Sequence, residues 1–403
     1  MSDSGTTLRV VVSSRAEAGV ALRPTRAEVN LEAIAHNLDV VRALVSEDRP
    51  TPPKVYAVVK ADAYGHGVIP VARALEVAGV DGLCVALVEE GIELRDAGVS
   101  LPVLVMSGLY GHGLGAALDA RLTPVIHDAS QLEALRDARS HAPVRVHLKV
   151  DTGMGRLGIT PAALPGFLDA LGAMRHVVVE GLMTHFANAD CDDPGFTTTQ
   201  LSRFEAARGQ CERAGIHPEL VHAAASAAAF RMPETRLDMV RVGIGLYGVA
   251  PFPHAAPGLL PAMRLRTEVI ALRELPPNSP VGYAGAWRTG RASVIATLPV
   301  GYADGFFRRL SSDAEVLIQG RRCRVVGNVS MDMTSVDVTE LARSIGVSVG
   351  DEAVLLGSQR GAGGFDVIRA EEIARRIGTI PYEVLTAISR RVPRSYRERS
   401  PGR

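Results

Sequence analysis

Eight short apolar runs separated by amphipathic segments constrain the fold of this chain more than any other feature. The runs are VYAVVK (55–60), GLCVAL (82–87), PVLVMS (102–107), TPVIH (123–127), VRVHLKVD (144–151), VVVEGLMTH (177–185), LVHAAAS (220–226) and VRVGIGLYG (240–248). Segments between them, such as VIPVARALEVAG and SQLEALRDARS, place apolar residues at helical spacing. So does EVNLEAIAHNLDVVRALV (28–45), which predicts a helix before the first run. Continuous apolar strands that alternate with helices are typical of a parallel sheet covered on both faces.

Eight such units over about 220 residues fit a closed barrel. The alternative is an open doubly wound sheet, which needs a glycine-rich first turn, and no GxGxxG follows the first run. The predicted fold class is therefore α/β, with an N-terminal (β/α)8 TIM-type barrel followed by a smaller, mostly-β C-terminal domain.

The character of the sequence changes after Pro251. PFPHAAPGLLP is a proline-rich connector, and short β-rich runs with Gly, Pro, Asn and Asp turns follow it. We expect a flexible extension over 1–22, the barrel over 23–258, the β domain over 259–396 and a flexible tail over 397–403.

Composition excludes several classes of function. Lys plus Arg and Asp plus Glu are both 44, so the neutral charge gives no electrostatic reason to expect nucleic acid or an anionic membrane as partner. No apolar run approaches the roughly 20 residues that span a bilayer, and residues 1–22 do not resemble a signal peptide. The four cysteines form no CxxC pair, which favours free thiols in a reducing cytoplasm.

Polar residues fall at the carboxyl ends of several predicted strands, where barrels carry their chemistry. Lys60 ends the first run, and Arg156 follows the fifth in DTGMGRLG. His185 and Ser226 end the sixth and seventh runs, and Arg241 lies in the eighth, before Gly243-Ile244-Gly245. Glycines after the seventh and eighth strands are where barrels often bind a phosphate.

Lys60 is the most informative of these residues. A lysine that is desolvated at a strand end has a lowered pKa and becomes a nucleophile or Schiff-base former. The alternative is a lysine that extends out of the barrel into water. A phosphate site on the same rim favours the first interpretation, because a lysine and a phosphate site are what pyridoxal phosphate requires.

The block AVVKADAYGHG resembles the signature of the alanine racemase family. The resemblance continues in family order through KVDTGMGRLG, THFANAD, VRVGIGLYG, VGYAG, PVGYADG, GNVSMDM and IPYEV, over about residues 25–390. It implies a barrel followed by a β domain, pyridoxal 5'-phosphate as cofactor, and interconversion of L- and D-alanine, which supplies D-alanine for peptidoglycan. Ser330 departs from the part of the family that has cysteine there.

The resemblance also implies the cofactor contacts. Lys60 would hold the cofactor as a Schiff base, His185 would stack on its ring, and Arg241 would face the pyridine nitrogen. The expected phosphate ligands are Ser226, Gly243, Ile244, Tyr64 and Tyr382. Judged alone, a histidine at a strand end such as His185 is more often a satisfied core residue. The alternative for Arg241 is an arginine that caps a strand end.

The proton and substrate contacts follow from the same resemblance. Racemisation needs a base on each face of the α-carbon, and the family places these at Lys60 and Tyr283. A phenol normally ionises near pH 10 (roughly), and a nearby cation such as Arg156 would favour its phenolate. The remaining substrate contacts implied are Met331, Asp332 and Tyr302. Without the flanking blocks, Tyr283 would be interpreted as a core or gate tyrosine and Arg156 as an exposed turn residue.

Modification and assembly are further expectations from the family. Lys149 is a candidate for carbamylation, and an unmodified lysine paired with a carboxylate is the alternative. The resemblance implies a homodimer in which the β domain of one subunit covers the barrel mouth of another. The other ten histidines show no metal-ligand spacing, so no metal is expected. A racemase of broader range, a decarboxylase on the same barrel and a non-catalytic cofactor-binding protein are the competing interpretations.

Overall fold

A computed structural model describes residues 10–12, 22–47, 49–111, 113–138, 143–252 and 258–397. The contacts divide these residues into two compact units, a barrel unit and a β unit. Most of the expected N-terminal extension, part of the proline-rich connector and nearly all of the expected tail lie outside the described residues.

The barrel unit contains an eight-stranded, all-parallel sheet within the described residues. Each strand falls inside or beside one of the eight apolar runs, and most strand residues are buried, as expected for strands covered on both faces. The main exception is the first half of the sixth strand, residues 177–180, which is partly exposed. The strands are Lys54–Val58, Gly82–Val85, Val103–Val105, Thr123–Ile126, Val144–Lys149, Val177–Met183, Leu220–His222 and Met239–Val242.

Hydrogen bonds between the seventh and eighth strands complete the barrel. The eighth strand pairs with the first, and the seventh strand pairs with the sixth, so the remaining junction is the one between the seventh and eighth strands. The amide of Asp238 donates to Val221 at 3.0 Å and that of Arg241 to Ala224 at 3.0 Å. The barrel predicted from the sequence is therefore confirmed, and the open sheet is not.

Helices surround the barrel strands with their apolar faces inward. In the helix Leu31–Ser46, for example, Ile34, Leu38, Val41 and Val45 share one face and are fully buried. The other helical segments assigned to this unit are Lys60–Gly65, Val68–Val77, Val88–Asp96, Gly113–Asp119, Ser130–Arg136, Leu164–Gly172, Gly195–Arg213, Ser226–Arg231, Pro233–Thr235 and Ile244–Tyr247.

The β unit is built on a large, mainly antiparallel sheet, as the short β-rich runs predicted. Its strands are Val10–Val12, Arg26–Asn30, Met263–Glu268, Ala271–Leu275, Pro280–Val281, Trp287–Arg288, Ser293–Leu298, Glu315–Ile318, Arg321–Val325, Thr334–Asp337, Glu352–Gly361, Gly364–Ile368 and Arg394–Arg397. Its helical segments are Tyr283–Gly285, Tyr302–Asp304, Arg308–Leu310, Thr339–Ser344, Ala370–Ile377 and Pro381–Thr386.

The first part of the chain enters the β unit before it enters the barrel. Arg26–Asn30 is a strand that pairs with Met263–Glu268 and Arg394–Arg397, although the sequence predicted a helix from residue 28. The helix begins one residue later than this strand ends, because the Asn30 side chain accepts the amide of Ala33 at 3.1 Å and caps it. The described residues of 22–33, together with Tyr64–Gly67, are grouped with the β unit.

Candidate active site

Lys60 begins a left-handed helical turn just beyond the first barrel strand. The turn spans Lys60–Gly65, and the four non-glycine residues 61–64 all have φ between 52° and 54°. This conformation costs on the order of 1–2 kcal/mol for each L-residue. Such a turn persists only where neighbouring groups hold it in place.

Two carboxylates link this turn to its surroundings, one from outside the turn and one from within it. Glu90 accepts the amide of Ala61 at 2.7 Å, and Asp62 accepts the amide of Val68 at 2.7 Å. The strand predicted to end at Lys60 in fact ends at Val58, because the chain has already turned when it reaches the lysine.

Four basic side chains act on one another in the barrel unit. Burial, and then the charge of Arg156, lower the pKa of Lys60. Burial, followed by the charges of Arg241 and Arg156, lowers the pKa of Lys149 to about 8. Burial also lowers the pKa of Arg241 to about 10. A region with this much positive charge is suited to an anionic ligand.

The loop that carries Arg156 is held by a carboxylate at its base. Asp151 accepts the amides of Gly153, Met154 and Gly155 at 2.8–2.9 Å. Arg156 is exposed beyond these contacts. The carboxylate of Asp151 is thus occupied by the backbone, and no described carboxylate lies within ion-pair distance of Lys149, which is only 5% exposed.

Arg241 joins the carboxyl ends of three strands. Its guanidinium donates to the carbonyls of Thr184 and Ala223, both at 2.9 Å, and to Nδ1 of His222 at 2.5 Å. The residue is 2% exposed. Arg241 therefore caps strand ends, as the simpler interpretation of the sequence expected, and it is also the fixed cation of the site.

A buried chain of polar groups continues from Arg241 into the barrel interior. Nε2 of His222 lies 2.8 Å from Nδ1 of His147, and Nε2 of His147 lies 3.7 Å from a carboxylate oxygen of Glu180. Burial lowers the pKa of both histidines, and Arg241 lowers that of His222 further. The neutral His222 is consequently an acceptor that Arg241 can use.

His185 lies beside the same guanidinium. Its Nδ1 is 3.4 Å from Arg241, and burial together with the charges of Arg241 and Arg156 lowers its pKa to about 3. The imidazole is therefore neutral near pH 7 and offers a flat, uncharged ring.

A hydroxyl and backbone amides form a small cradle after the seventh and eighth strands. The buried Ser226 hydroxyl accepts the amide of Gly243 at 2.9 Å. Ser226 begins the helix Ser226–Arg231, and Ile244 begins the 3-10 helix Ile244–Tyr247. The first amides of a helix lack partners within it and favour anions.

In the β unit, the residues expected from the sequence lie on connected loops. The Asn328 side chain donates to the carbonyl of Tyr283 at 3.0 Å, and the amide of Tyr302 donates to the carbonyl of Ser330 at 3.0 Å. Met331 follows directly and accepts the amide of Ala303. Sequence blocks that are separated by 28 to 45 residues thus meet at one loop cluster through hydrogen bonds to backbone carbonyls.

This loop cluster is unusually exposed for its composition. Tyr283 is 73% exposed and Met331 52%. Tyr302 and Asp332 are also exposed, and Asp332 pairs with Arg391 at 2.7 Å. Exposed aromatic and methionine side chains that cluster in this way commonly mark a surface that another molecule covers.

Tyr64 and Tyr382 lie together in the β unit, with ring centroids 5.9 Å apart. The glycines of the YGHG segment allow a close approach nearby. A Cβ atom on Gly67 would lie 1.9 Å from the Tyr396 hydroxyl oxygen, and one on Gly65 would lie 2.6 Å from the carbonyl oxygen of Leu385.

Sequence reasoning did not identify Glu90, His147 or His222 as members of the site. From the sequence, Glu90 is indistinguishable from an ordinary acidic residue in the first turn of a helix, and both histidines resemble core residues. Their roles depend on which strands and turns are neighbours, which no local motif encodes.

A desolvated lysine, several interacting cations and a hydroxyl–amide pair on one barrel are characteristic of the class of enzymes that use a phosphate-bearing carbonyl cofactor. Residues 29–251 match the alanine racemase N-terminal domain and residues 262–396 the alanine racemase C-terminal domain. The chain belongs to the alanine racemase family, which is a family of isomerases.

Individual relatives support the same assignment. The alanine racemase of Sorangium cellulosum (strain So ce56) is 48% identical over 384 residues, which cover 94% of this chain and 100% of that protein. The crystal structure of the biosynthetic alanine racemase from Pseudomonas aeruginosa is 37% identical, with a TM-score of 0.82 and coverage of 93% and 99%. That of the enzyme from Bartonella henselae, which holds covalently bound pyridoxal phosphate, is 28% identical, with a TM-score of 0.83 and coverage of 93% and 99%.

Within the described residues, no helix combines the length and the apolar character needed to cross a membrane.

Proposed function

We propose that this chain interconverts L- and D-alanine with pyridoxal 5'-phosphate, in the cytoplasm, and that its D-alanine supplies peptidoglycan synthesis. The observation that carries the proposal is the grouping of Lys60, whose pKa is lowered, with Lys149, Arg156 and Arg241. Burial and the charge of Arg156 favour the neutral form of the Lys60 amine, and a neutral amine can both bind an aldehyde and accept a proton.

The donor set of the barrel unit fits this cofactor. The Ser226 hydroxyl and the backbone amide of Ile244 suit a phosphate. Gly243, whose amide donates to Ser226, is assigned as a further ligand from the resemblance, as are the phenols of Tyr64 and Tyr382 in the β unit. The neutral ring of His185 suits stacking, and Arg241 suits a ring nitrogen that stays unprotonated. When bound, the cofactor withdraws electrons from the α-carbon and so acidifies its proton.

Two side chains are assigned to move that proton. Lys60 exchanges it on one face of the α-carbon, and the Tyr283 phenol exchanges it on the other. Arg156 stabilises the phenolate of Tyr283. The backbone of Met331, with Asp332 beside it, binds the substrate carboxylate, and Tyr302 narrows the entrance.

Lys149 is assigned as a site of carbamylation. An amine with a pKa of about 8 is roughly one-tenth neutral at pH 7, and the neutral amine is the form that adds carbon dioxide. The product is an anion, which would pair with the neighbouring arginines.

A homodimer with shared active sites is part of the proposal. Support comes from the exposure of Tyr283 and Met331, since a phenol that serves as a base must leave bulk water. The partner subunit's barrel mouth would cover this cluster. Mixing Lys60→Ala with Tyr283→Ala protein should restore activity, and mixed dimers that stay inactive at every ratio would refute site sharing.

The test of the activity is incubation of the purified chain with each L-amino acid, followed by chiral separation. We expect D-alanine as the main product, with Lys60→Ala and Tyr283→Phe losing at least about a thousandfold in rate. Lys54→Ala is the matched control, because Lys54 is an exposed lysine on the strand that precedes Lys60. Preferential turnover of serine would indicate a racemase of broader range, and carbon dioxide release without D-alanine would indicate a decarboxylase.

A further inference from the structure

We propose that Glu90 is a positioning residue for Lys60: its carboxylate ties the left-handed turn that carries the lysine to the start of the next barrel helix. The inference rests on the proposed function, in which the Lys60 amine must reach the cofactor. Glu90 lies outside the roles already assigned to the site.

Both oxygens of Glu90 are used, and they bind different segments. One oxygen accepts the amide of Ala61 at 2.7 Å. The other accepts the amides of Ala86 at 2.7 Å and Leu87 at 3.1 Å. A single carboxylate thus joins the turn after the first strand to the loop after the second.

The position of Glu90 explains how one side chain can do this. It is the third residue of the helix Val88–Asp96, whose N-cap is Leu87, a residue without a polar side chain. A glutamate at this position commonly accepts the N-cap amide. Here the second oxygen remains available and reaches the neighbouring turn.

The Ala61 amide is the point at which a restraint on Lys60 is most effective. Ala61 is the first residue with positive φ, at 53°, and the next three residues continue the left-handed turn. A rotation at Ala61 back to the ordinary right-handed region would swing the chain on both sides of it, Lys60 included. The hydrogen bond from Ala61 to Glu90 opposes this rotation.

Charge provides a second link between the two residues. Glu90 raises the pKa of Lys60, against the larger lowering by burial and by Arg156. Cys84 also faces Lys60, and Lys149 and His185 interact with it as well. Glu90 is the one carboxylate among the groups named here, so its removal takes away the negative charge that favours protonated Lys60.

The test compares Glu90→Gln with Glu89→Gln in the full chain after removal of any cofactor. Glu89 is the preceding, exposed residue of the same helix turn and makes a matched control. Two quantities are measured: hydrogen exchange at the Ala61 amide, and the rate at which added pyridoxal phosphate becomes attached to Lys60. Attachment joins Nζ to the aldehyde carbon and releases water.

Glutamine can accept at only one of the two segments, because its NH2 group repels the other amide. We expect its oxygen to stay with Ala86 and Leu87, because two amides there outweigh the single amide of Ala61. We expect exchange at Ala61 to rise and attachment to slow, each by at least about tenfold, with Glu89→Gln unchanged. The pH profile of attachment should also move to lower pH in Glu90→Gln. Glu90→Asp keeps the charge but shortens the reach, so it should raise exchange without moving the pH profile.

Unchanged exchange at Ala61 in Glu90→Gln, or raised exchange with unaltered attachment, would overturn the inference. If Glu90→Gln does not fold, Glu90→Asp carries the same comparison. The proposed function is judged separately, by racemisation in the wild-type chain. A wild-type chain that attaches the cofactor but does not racemise alanine would leave the role of Glu90 intact.

Discussion

Replacing Lys149 with methionine should stabilise the cofactor-free chain near neutral pH. Lys149 is 5% exposed and has no described carboxylate partner, and its pKa is lowered from 10.5 to about 8 by burial and then by Arg241 and Arg156. Its charge is therefore unfavourable in the folded protein. Methionine has a similar length without the charge.

The size of the effect follows from the shift in pKa. Each pKa unit corresponds to about 1.4 kcal/mol, so protonated Lys149 destabilises the fold by about 3 kcal/mol at pH 7. The folded pKa lies below the unfolded one, and between about pH 8 and 10.5 the unfolded chain holds more protons. The contribution of Lys149 to the free energy of unfolding therefore rises with pH between about 8 and 10.5. Below about pH 8 the full destabilisation by the protonated amine applies.

The assay is urea unfolding at several pH values, in buffer free of carbon dioxide. Unfolding is monitored by the far-ultraviolet circular dichroism signal of the helices. We expect Lys149→Met to raise the free energy of unfolding by about 2–3 kcal/mol at pH 7 and to flatten the rise above pH 8. The control is Lys54→Met at an exposed position. A Lys149→Met chain that is less stable than wild type at pH 7, with the alkaline rise intact, would refute the reasoning.

Two further predictions concern acid stability and backbone geometry. Because the pKa of His185 is lowered to about 3, stability should fall as the pH drops below about 6.5, by about 1.4 kcal/mol per pH unit. His185→Phe should reduce this slope in acid urea titrations, whereas His217→Phe, at an exposed site, should not; equal slopes would contradict the prediction. Gly67→Ala and Gly98→Ala both place alanine at positive φ, but only Gly67 has an atom, of Tyr396, within 4 Å of the new Cβ. Gly67→Ala should therefore cost about 1–3 kcal/mol more in urea unfolding, and equal losses would show that the approach is not restrictive.

The barrel could be predicted because each of its strands is recognisable from a short stretch of sequence. Each parallel strand is buried on both faces, so each run such as GLCVAL or TPVIH is apolar throughout and is visible without knowledge of its neighbours. The strand Arg26–Asn30 could not be predicted in the same way. Its residues alternate between buried and partly buried, and its apolar residues also fit the spacing of the helix that follows.

In the candidate site, too, residues that a local sequence pattern reveals could be predicted, and residues whose role depends on a distant contact could not. Lys60, Arg156 and Arg241 lie at strand ends and carry charge, so the sequence could single them out. Glu90 contacts Ala61 across a separation of 29 residues, and the left-handed conformation that gives this contact its importance occurs in residues that rarely adopt it. The roles of Tyr283 and the other β-unit residues came from resemblance, since an exposed tyrosine in a loop has no distinguishing local pattern.

The pairing of Arg26–Asn30 with Arg394–Arg397 has a consequence for how the molecule is made. A ribosome adds about 5–20 residues per second, so the strand Arg26–Asn30 is synthesised tens of seconds before its partner Arg394–Arg397 exists. During that time the barrel strands, which lie between residues 54 and 242, can already pair with one another. The strand Arg26–Asn30 still has unpaired backbone groups, which can bind to another polypeptide. The β unit therefore cannot complete this pairing until residues 394–397 have been synthesised, and the strand Arg26–Asn30 is a segment that molecular chaperones have reason to protect until then.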